Sequence, residues 1–492
     1  MMSKQKYKLH PISAVINFIK GLKELIIPIV IILISNFVNT PDSNTINFWR
    51  DVFPLLIVGV PVFTYLVLGV IKWWTFVYWF ENNEIRVEFG LFVKKKRYIP
   101  FERIQSLNYK EGVFHQLFNL VQVMVETAGN KNGKPEVELT AVTKEAVKQI
   151  ELELQKFKNQ QKEKVLDELY EGGSEPNKET IKVIHKLSTK DLVLLATTSN
   201  SMGVFLAGMA AILSQFAEYI PYDWIFEEIS AYIQFGAFVI LFGIVIALLL
   251  AWCASIVITL LNYHDFAVSE EEDRITITRG LLEKKRVTIP YNRIQAIKVI
   301  ENPIRQMFGF ASVVVESAGG AQGERDKKMV LFPLIRKERL NSVLGTMFPQ
   351  FEWEFQLTRP PSKSQHFFYR VYLIWLVPVV GICSYVYYPI GMLPILFIIP
   401  IILLGKWQYK TTGYEVKNHQ LTMVYRIFSK VTFVVEKKRI QVVVQKQSLF
   451  QRKRRVATVN ATVMSGMTGA TAKVNHINVE DADTLLSWFK HS

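Results

Sequence analysis

From Ile229 to His264 the chain runs without one Asp, Glu, Lys or Arg. A helix needs roughly 20 apolar residues to cross a hydrocarbon core of about 30 Å. The centre of the run, Phe238 to Leu261, meets that need, so it belongs in a bilayer or deep inside a very large core. Other apolar stretches decide between the two. Leu192 to Ala217 is also uncharged, softened by Thr197, Thr198, Ser199 and Asn200. Leu25 to Val38 is short, while Val52 to Ile71 is full length and carries Pro54 and Pro61, which membrane helices tolerate. Val371 to Gly405 is broken at Tyr387-Tyr388-Pro389-Ile390-Gly391, a turn between two helices of marginal length. The pattern predicts six transmembrane helices in three hairpins, too many apolar pairs for a soluble core.

Composition agrees. Half the residues are hydrophobic, yet 21% are charged, so the chain alternates between lipid and water. That apolar content excludes wholesale disorder. Two cysteines, Cys253 and Cys383, both inside apolar runs, exclude a disulfide framework. The net charge of +15 has a topological explanation. The hairpin turns are nearly bare of Lys and Arg, whereas Lys4, Lys6, Lys8, Lys20 and Lys23 precede the first, and most other cations lie between hairpins or after the last. Both termini and the polar segments are therefore expected in the cytoplasm, with the chain multi-pass in the plasma membrane and without a cleavable signal. Trp73, Trp74, Tyr78, Trp79, Trp407 and Tyr409 read as an interfacial belt. No helix-turn-helix or zinc spacing accompanies the charge, so a nucleic-acid partner is not expected.

The polar segments repeat. Ile85–Gly129 aligns without a gap on Ile275–Gly319 at an offset of 190, and roughly 18 of about 45 positions are identical. Shared marks are Gly90/Gly280, Pro100/Pro290, Arg103-Ile104-Gln105/Arg293-Ile294-Gln295 and Phe118/Phe308. A third, diverged copy carries Arg439-Ile440-Gln441 at a further offset of 146, with Arg426 at the glycine position and Glu436 at the proline position. Alternation of period two, as in Ile275 to Thr278, predicts short strands. Helical spacing at Thr143–Phe157, Arg336–Phe348 and Glu480–Phe489 predicts one closing helix per copy. The expected division is a hairpin over 12–80, a β-domain over 81–158, a charged linker over 159–190, a hairpin over 191–263, a domain over 264–350, a hairpin over 366–406 and the diverged domain over 407–492.

A membrane hairpin followed by G…IP…RIQ…(F/L)G…V-x-(E/T)-x-AG resembles the bacterial pleckstrin-homology-like membrane protein family (bPH type 2, formerly a domain of unknown function), in its YdbT-type form with three repeats. The resemblance covers nearly the whole chain and weakens in the third copy, where the glycine and proline are replaced. It implies a fold class of α+β integral membrane protein, each hairpin followed by a cytoplasmic PH-like domain, a seven-stranded bent sheet with a C-terminal helix. It also implies self-assembly or a complex with a smaller PH-like membrane protein, no catalytic residues, and a role in envelope maintenance or resistance to membrane-active antimicrobial peptides.

Each copy holds a basic cluster: Lys94, Lys95, Lys96 and Arg97; Lys284, Lys285 and Arg286; Lys437, Lys438 and Arg439, joined by Arg452, Lys453, Arg454 and Arg455. Near an anionic leaflet each cation contributes about 1 kcal/mol, so these are candidate lipid contacts as well as topology-setting loops. Arg103, Gln105, Arg293, Gln295, Arg439 and Gln441 are expected on strands with Arg and Gln outward, either at a domain interface or in a structural hydrogen bond. The histidines show no metal spacing, the glycines at 319, 320 and 323 lack the Lys-Ser/Thr of a phosphate loop, and no nucleophile motif occurs. No cofactor, metal or enzymatic activity is expected. The leading expectation is a membrane scaffold. The alternative is a transport or export component, resting on the polar cluster at 197–200.

Overall fold

The computed structural model describes residues 6–38, 53–91, 93–127, 135–169, 182–198, 236–271, 273–318, 329–386, 388, 390–466 and 469–490. Among them, four helices are long and apolar enough to cross a membrane, at Leu56–Thr75, Val245–Tyr263, Ser362–Val386 and Gly391–Thr411, against six expected. Of the other two, α1 (Ile12–Val38) is one continuous helix, but Lys20, Lys23 and Glu24 interrupt its apolar character. Its first half instead lies on protein: Ile16 packs with Leu120 and Ala141, and Lys20 pairs with Glu138 at 2.7 Å. What remains, Leu25 to Val38, is about 21 Å long at 1.5 Å per residue, short of a bilayer. The other expected span, like the turn after it, lies mostly outside the described residues.

The helices of the third hairpin, α9 (Phe367–Val386) and α10 (Ile398–Thr411), approach closely. A Cβ on Gly405 would stand 2.6 Å from the Cβ of Tyr369, so only glycine permits that crossing. In the first hairpin α1 is followed by α2 (Phe53–Thr75), and α5 (Thr189–Thr197) and α6 (Gly236–Tyr263) lie between the first and third hairpins.

The repeats fold as three β-modules. The first contains β1 (Tyr7–Lys8), β2 (Val77–Glu81), β3 (Glu84–Phe89), β4 (Lys95–Pro100), β5 (Ile104–Glu111), β6 (Leu120–Thr127) and β7 (Val137–Thr143), with a short helix α3 (Val113–Leu117) and a closing helix α4 (Lys144–Leu169). The second contains β8 (Lys182–Lys186), β9 (Ala267–Glu271), β10 (Arg274–Arg279), β11 (Lys284–Pro290), β12 (Ile294–Glu301), β13 (Phe310–Ser317) and β14 (Met329–Arg336), with α7 (Pro303–Met307) and α8 (Lys337–Met347). The third contains β15 (Gly413–Lys417), β16 (Gln420–Arg426), β17 (Lys430–Glu436), β18 (Ile440–Lys446), β19 (Val456–Val463) and β20 (Ala470–Asn478), with α11 (Leu449–Lys453) and α12 (Val479–Lys490). A single bridge from Thr358 to Tyr414 stands where the other modules have their first strand. Each closing helix buries one apolar stripe in its module: Ile150, Leu154 and Phe157; Leu340, Leu344 and Met347; Ala482 and Leu485. The first is capped at Thr143, whose hydroxyl accepts from the Ala146 N–H at 3.3 Å.

Two expectations change here. First, the hairpin does not precede the module but is inserted in it, between its first strand and its second. β1, β8 and Thr358 all lie before a hairpin in sequence and pair after it. Residues 182–186, assigned to a solvated linker, are therefore the opening strand of the second module. Second, the modules are not separate. The strand order is β1-β2-β3-β4, then β7-β6-β5-β11-β10-β9-β8, then β14-β13-β12-β17-β16-β15, then β18-β19-β20. The second half of each of the first two modules thus continues as a sheet into the first half of the next. At the second junction the ladder runs from Ala296↔Val435 to Glu301↔Lys430, and Val434 is buried in the second module's core while Ala296 is buried in the third's. At these two junctions the strand edges of β5, β11, β12 and β17, which would otherwise invite aggregation, are consumed within the chain.

Candidate functional site

The turn between the second and third main strands of every module is fastened to the end of a membrane helix. In the first, the Gly90 N–H donates to Thr75 Oγ1, at the end of α2, at 3.3 Å. In the second, Gly280 N–H donates to the His264 carbonyl and Leu281 N–H to the Leu261 carbonyl, both at 2.9 Å. In the third, Gln408 on α10 donates to the Ile427 carbonyl at 2.8 Å. Gly90 and Gly280 both have φ of +104°, and a Cβ there would meet a backbone carbonyl oxygen at 2.2 and 2.1 Å, which accounts for the repeated glycine. Arg426 replaces it in the third module and takes up a new task. It is buried over the Trp407 ring at 3.7 Å and donates to Gln306 Oε1, on α7 of the second module, at 2.8 Å. Gln116, the α3 residue equivalent to Gln306, donates to the carbonyls of Leu281 and Leu282 at 3.0 and 3.1 Å.

Short helix and turn thus meet at each junction, and both display apolar side chains. Leu91, Leu281, Leu282, Ile427 and Phe428 are exposed on the turns. On the short helices Leu117 is 72% exposed, Met307 85% and Leu449 77%, beside Phe118, Phe308 and Phe450. Apolar residues exposed in three equivalent places beside membrane-helix exits match an interfacial layer. In the third module α11 is tied to the start of α9. Arg370 lies 4.4 Å from the Phe450 ring centre, and His476 stacks on Phe367 while its Nδ1 accepts from Gln451 Nε2 at 2.8 Å. Burial pushes the His476 pKa down to about 4, so this contact stays neutral at physiological pH.

The basic clusters have three different environments. Lys94 to Arg97 begin or lie on β4, with Arg97 pairing to Glu136 at 4.0 Å. Arg452, Lys453, Arg454 and Arg455 are all exposed at the end of α11, near the membrane entry of α9. Lys284, Lys285 and Arg286 line a cleft of about 450 Å³ between the first and second modules, shared with Lys144, Lys148 and the membrane-exit residues His264 and Asp265. These cations are not on a free loop: Lys285 pairs with Glu283 at 3.2 Å, and Arg286 pairs with Glu271 at 3.4 Å and lies over Tyr109. Burial raises Glu283, but Lys110 and Lys285 outweigh it and hold its carboxyl below the ordinary value.

The Arg-Ile-Gln motif is placed differently from expectation. Arg103, Arg293 and Arg439 end 3₁₀ turns (Phe101–Arg103, Tyr291–Arg293, Lys437–Arg439), and the buried Ile104, Ile294 and Ile440 open the strands. A proline or its substitute ends the preceding strand, so the arginine falls in the corner rather than in the ladder. Arg293 is an interface residue, reaching Glu126 of the first module at 3.3 Å. Glu126 is buried and also accepts from Ser106 at 2.9 Å and Asn108 at 2.7 Å. Arg103 is exposed, and Arg439 pairs at 3.9 Å with Glu436 of its own turn. Gln295 donates to the Arg293 carbonyl at 3.1 Å, Gln105 is half-buried, and Gln441 is exposed. At the second junction Lys298 serves Glu316 at 2.7 Å, with Ser465 of the third module as a further donor. Glu126, Glu301 and Glu316 are not among the expected site residues. Their signal in the sequence is two glutamates shared by the first two copies, Glu126/Glu316 in the Glu-Thr/Ser-Ala-Gly endings and Glu111/Glu301, replaced by Thr462 and Gln447 in the third.

A family model described as "Bacterial PH domain" matches residues 26–158, 202–349 and 371–492. The chain belongs to the bacterial PH-domain family. It is 33% identical to the UPF0699 transmembrane protein YdbT of Bacillus subtilis (strain 168), over 100% of this chain and 99% of that protein. No solved structure matches it. Each family match covers the strands after a hairpin and leaves out β1, β8 and Thr358, the strand positions that precede one.

Proposed function

We propose that the chain is a non-enzymatic membrane scaffold: three PH-like modules, locked into one β-assembly, rest on the anionic inner leaflet and hold lipid headgroups and proteins there. The observation that carries this reading is the threefold recurrence of exposed apolar turns and short helices at membrane-helix exits, with cations beside them. Each buried large apolar side chain contributes roughly 1.5–3 kcal/mol, and each nearby Lys or Arg about 1 kcal/mol. The cytoplasmic side follows from the Lys/Arg distribution. Envelope maintenance, including protection against membrane-active peptides, fits a protein that covers and orders anionic lipid. Thr198 supports a scaffold rather than a substrate path. Its hydroxyl accepts from Arg305 at 3.0 Å and donates to the Leu194 carbonyl at 2.6 Å, so it fastens helix to module; Ser199 and Asn200 lie outside the described residues.

The test is native mass spectrometry of the full chain extracted from bilayers containing phosphatidylglycerol. The wild type should retain the anionic lipid. Reversing Lys144, Lys148 and Lys284 in the cleft, or Arg452, Lys453 and Arg454 on α11, should reduce retention at least fivefold. Equal retention in both variants overturns the reading.

A further inference from the structure

Both internal junctions follow one rule. The last strand of a module's first half (β11, β17) receives, antiparallel, the first strand of the preceding module's second half (β5, β12). Each junction also places carboxylates of the donating side against cations of the receiving side. At the first, Glu111 stands opposite Lys284 in register, and Glu126 meets Arg293. At the second, Glu301 stands opposite Lys430 and accepts from it at 2.8 Å.

The two ends of the series are left over, and they are chemically unequal. β4 ends its sheet with no strand on its outer side among the described residues. It keeps the receiving cations: Lys94 stands where Lys284 and Lys430 stand, and Arg103 where Arg293 stands. Both are exposed and form no ion pair among the described residues, whereas the Arg293 side chain is 12% exposed. β18, the opposite end, has lost the donating acids. Gln447 replaces Glu111 and Glu301, and Thr462 replaces Glu126 and Glu316.

We propose that the outer edge of β4 docks an antiparallel strand of a different protein, one that carries carboxylates opposite Lys94 and within reach of Arg103. This rests on the scaffold reading and names its protein partner. A second copy of this chain does not fit. Entering by β18 in the register of the first junction, it would set Lys446 against Lys95. The corresponding Lys110 and Lys285 are bridged by Glu283, at 2.8 and 3.2 Å, but Val93 occupies that place beside β4. Like charges directly opposed across a ladder are destabilising. Lysines alone also blunt an edge against pairing. The corner arginine goes beyond that, because at the first junction the same residue contacts the incoming module.

The test uses the full chain in its native membrane, with photoreactive benzoylphenylalanine in place of Lys95. Irradiation should give an adduct with a second protein, mapped to a strand bearing Asp or Glu at the two stated places. The double variant Lys94→Glu, Arg103→Glu should reduce the adduct at least fivefold, and changing the mapped carboxylates to lysine should restore it. Both altered residues are exposed, and monodisperse extraction of the variant checks its folding. An adduct between two copies, an adduct with lipid alone, a mapped segment without carboxylates, or no adduct overturns the proposal. The variant leaves the cleft and α11 untouched, so lipid retention by the same protein separates failure of this proposal from failure of leaflet contact.

Discussion

Replacing Glu126 by alanine removes the acceptor on which the first junction converges. The change strands Asn108, buried, and Arg293, whose side chain is 12% exposed, while the three-residue ladder between β5 and β11 stays in place. Removing one partner of a buried pair costs about 3–5 kcal/mol, and the 3.3 Å separation with partial solvent access puts this case near the lower end, about 3 kcal/mol. At 1.4 kcal/mol per tenfold, that is on the order of 100-fold faster exchange of the β5 and β11 amides through junction opening. Glu126→Gln keeps an acceptor and the shape, and should cost about half as much. Combining Glu126→Ala with Arg293→Met should recover much of the loss, because the uncompensated cation leaves with its partner. Hydrogen exchange read by mass spectrometry on the full chain resolves these effects by peptide. Unchanged exchange at β5 and β11, or equal acceleration in β19 and β20, would refute the account of the junction.

Two further outcomes follow from geometry. Burial raises the Glu301 carboxyl, but Lys430 and Lys337 outweigh it and hold it below its ordinary value. Its contribution is therefore complete above the unfolded carboxylate pKa and is lost as pH falls through the lower folded one. Exchange at β12 and β17, corrected for intrinsic rates, should rise there in the wild type and be flatter in Glu301→Gln; parallel pH profiles would contradict this. Gly280→Ala should lower thermal stability by about 1–3 kcal/mol, since φ is +104° and the new Cβ meets Glu283 O at 2.1 Å. Gly243→Ala, with nothing within 4 Å, is the matched control, and equal melting of the two variants would disprove the strain.

Much of this protein is legible in one dimension. The uncharged runs, the gapless repeat and the closing-helix stripes depend on spacing along the chain, and burial acts on spacing directly: a period of two or 3.6 decides which face meets the core or lipid. Tertiary structure decided what depends on contact across long separations. The pairing of Lys8 with Val77 across a hairpin shows that a module can begin before its membrane helices, and no local pattern in a two-residue strand announces that. The ladder from β12 to β17 joins residues more than a hundred positions apart, so one charged position can be a free surface in the first copy and an interface in the second. Arg103 and Arg293 have the same neighbours in sequence. What separates them is the β5 strand and Glu126 of the preceding module, which lie against the second copy, whereas no strand lies against β4 of the first among the described residues.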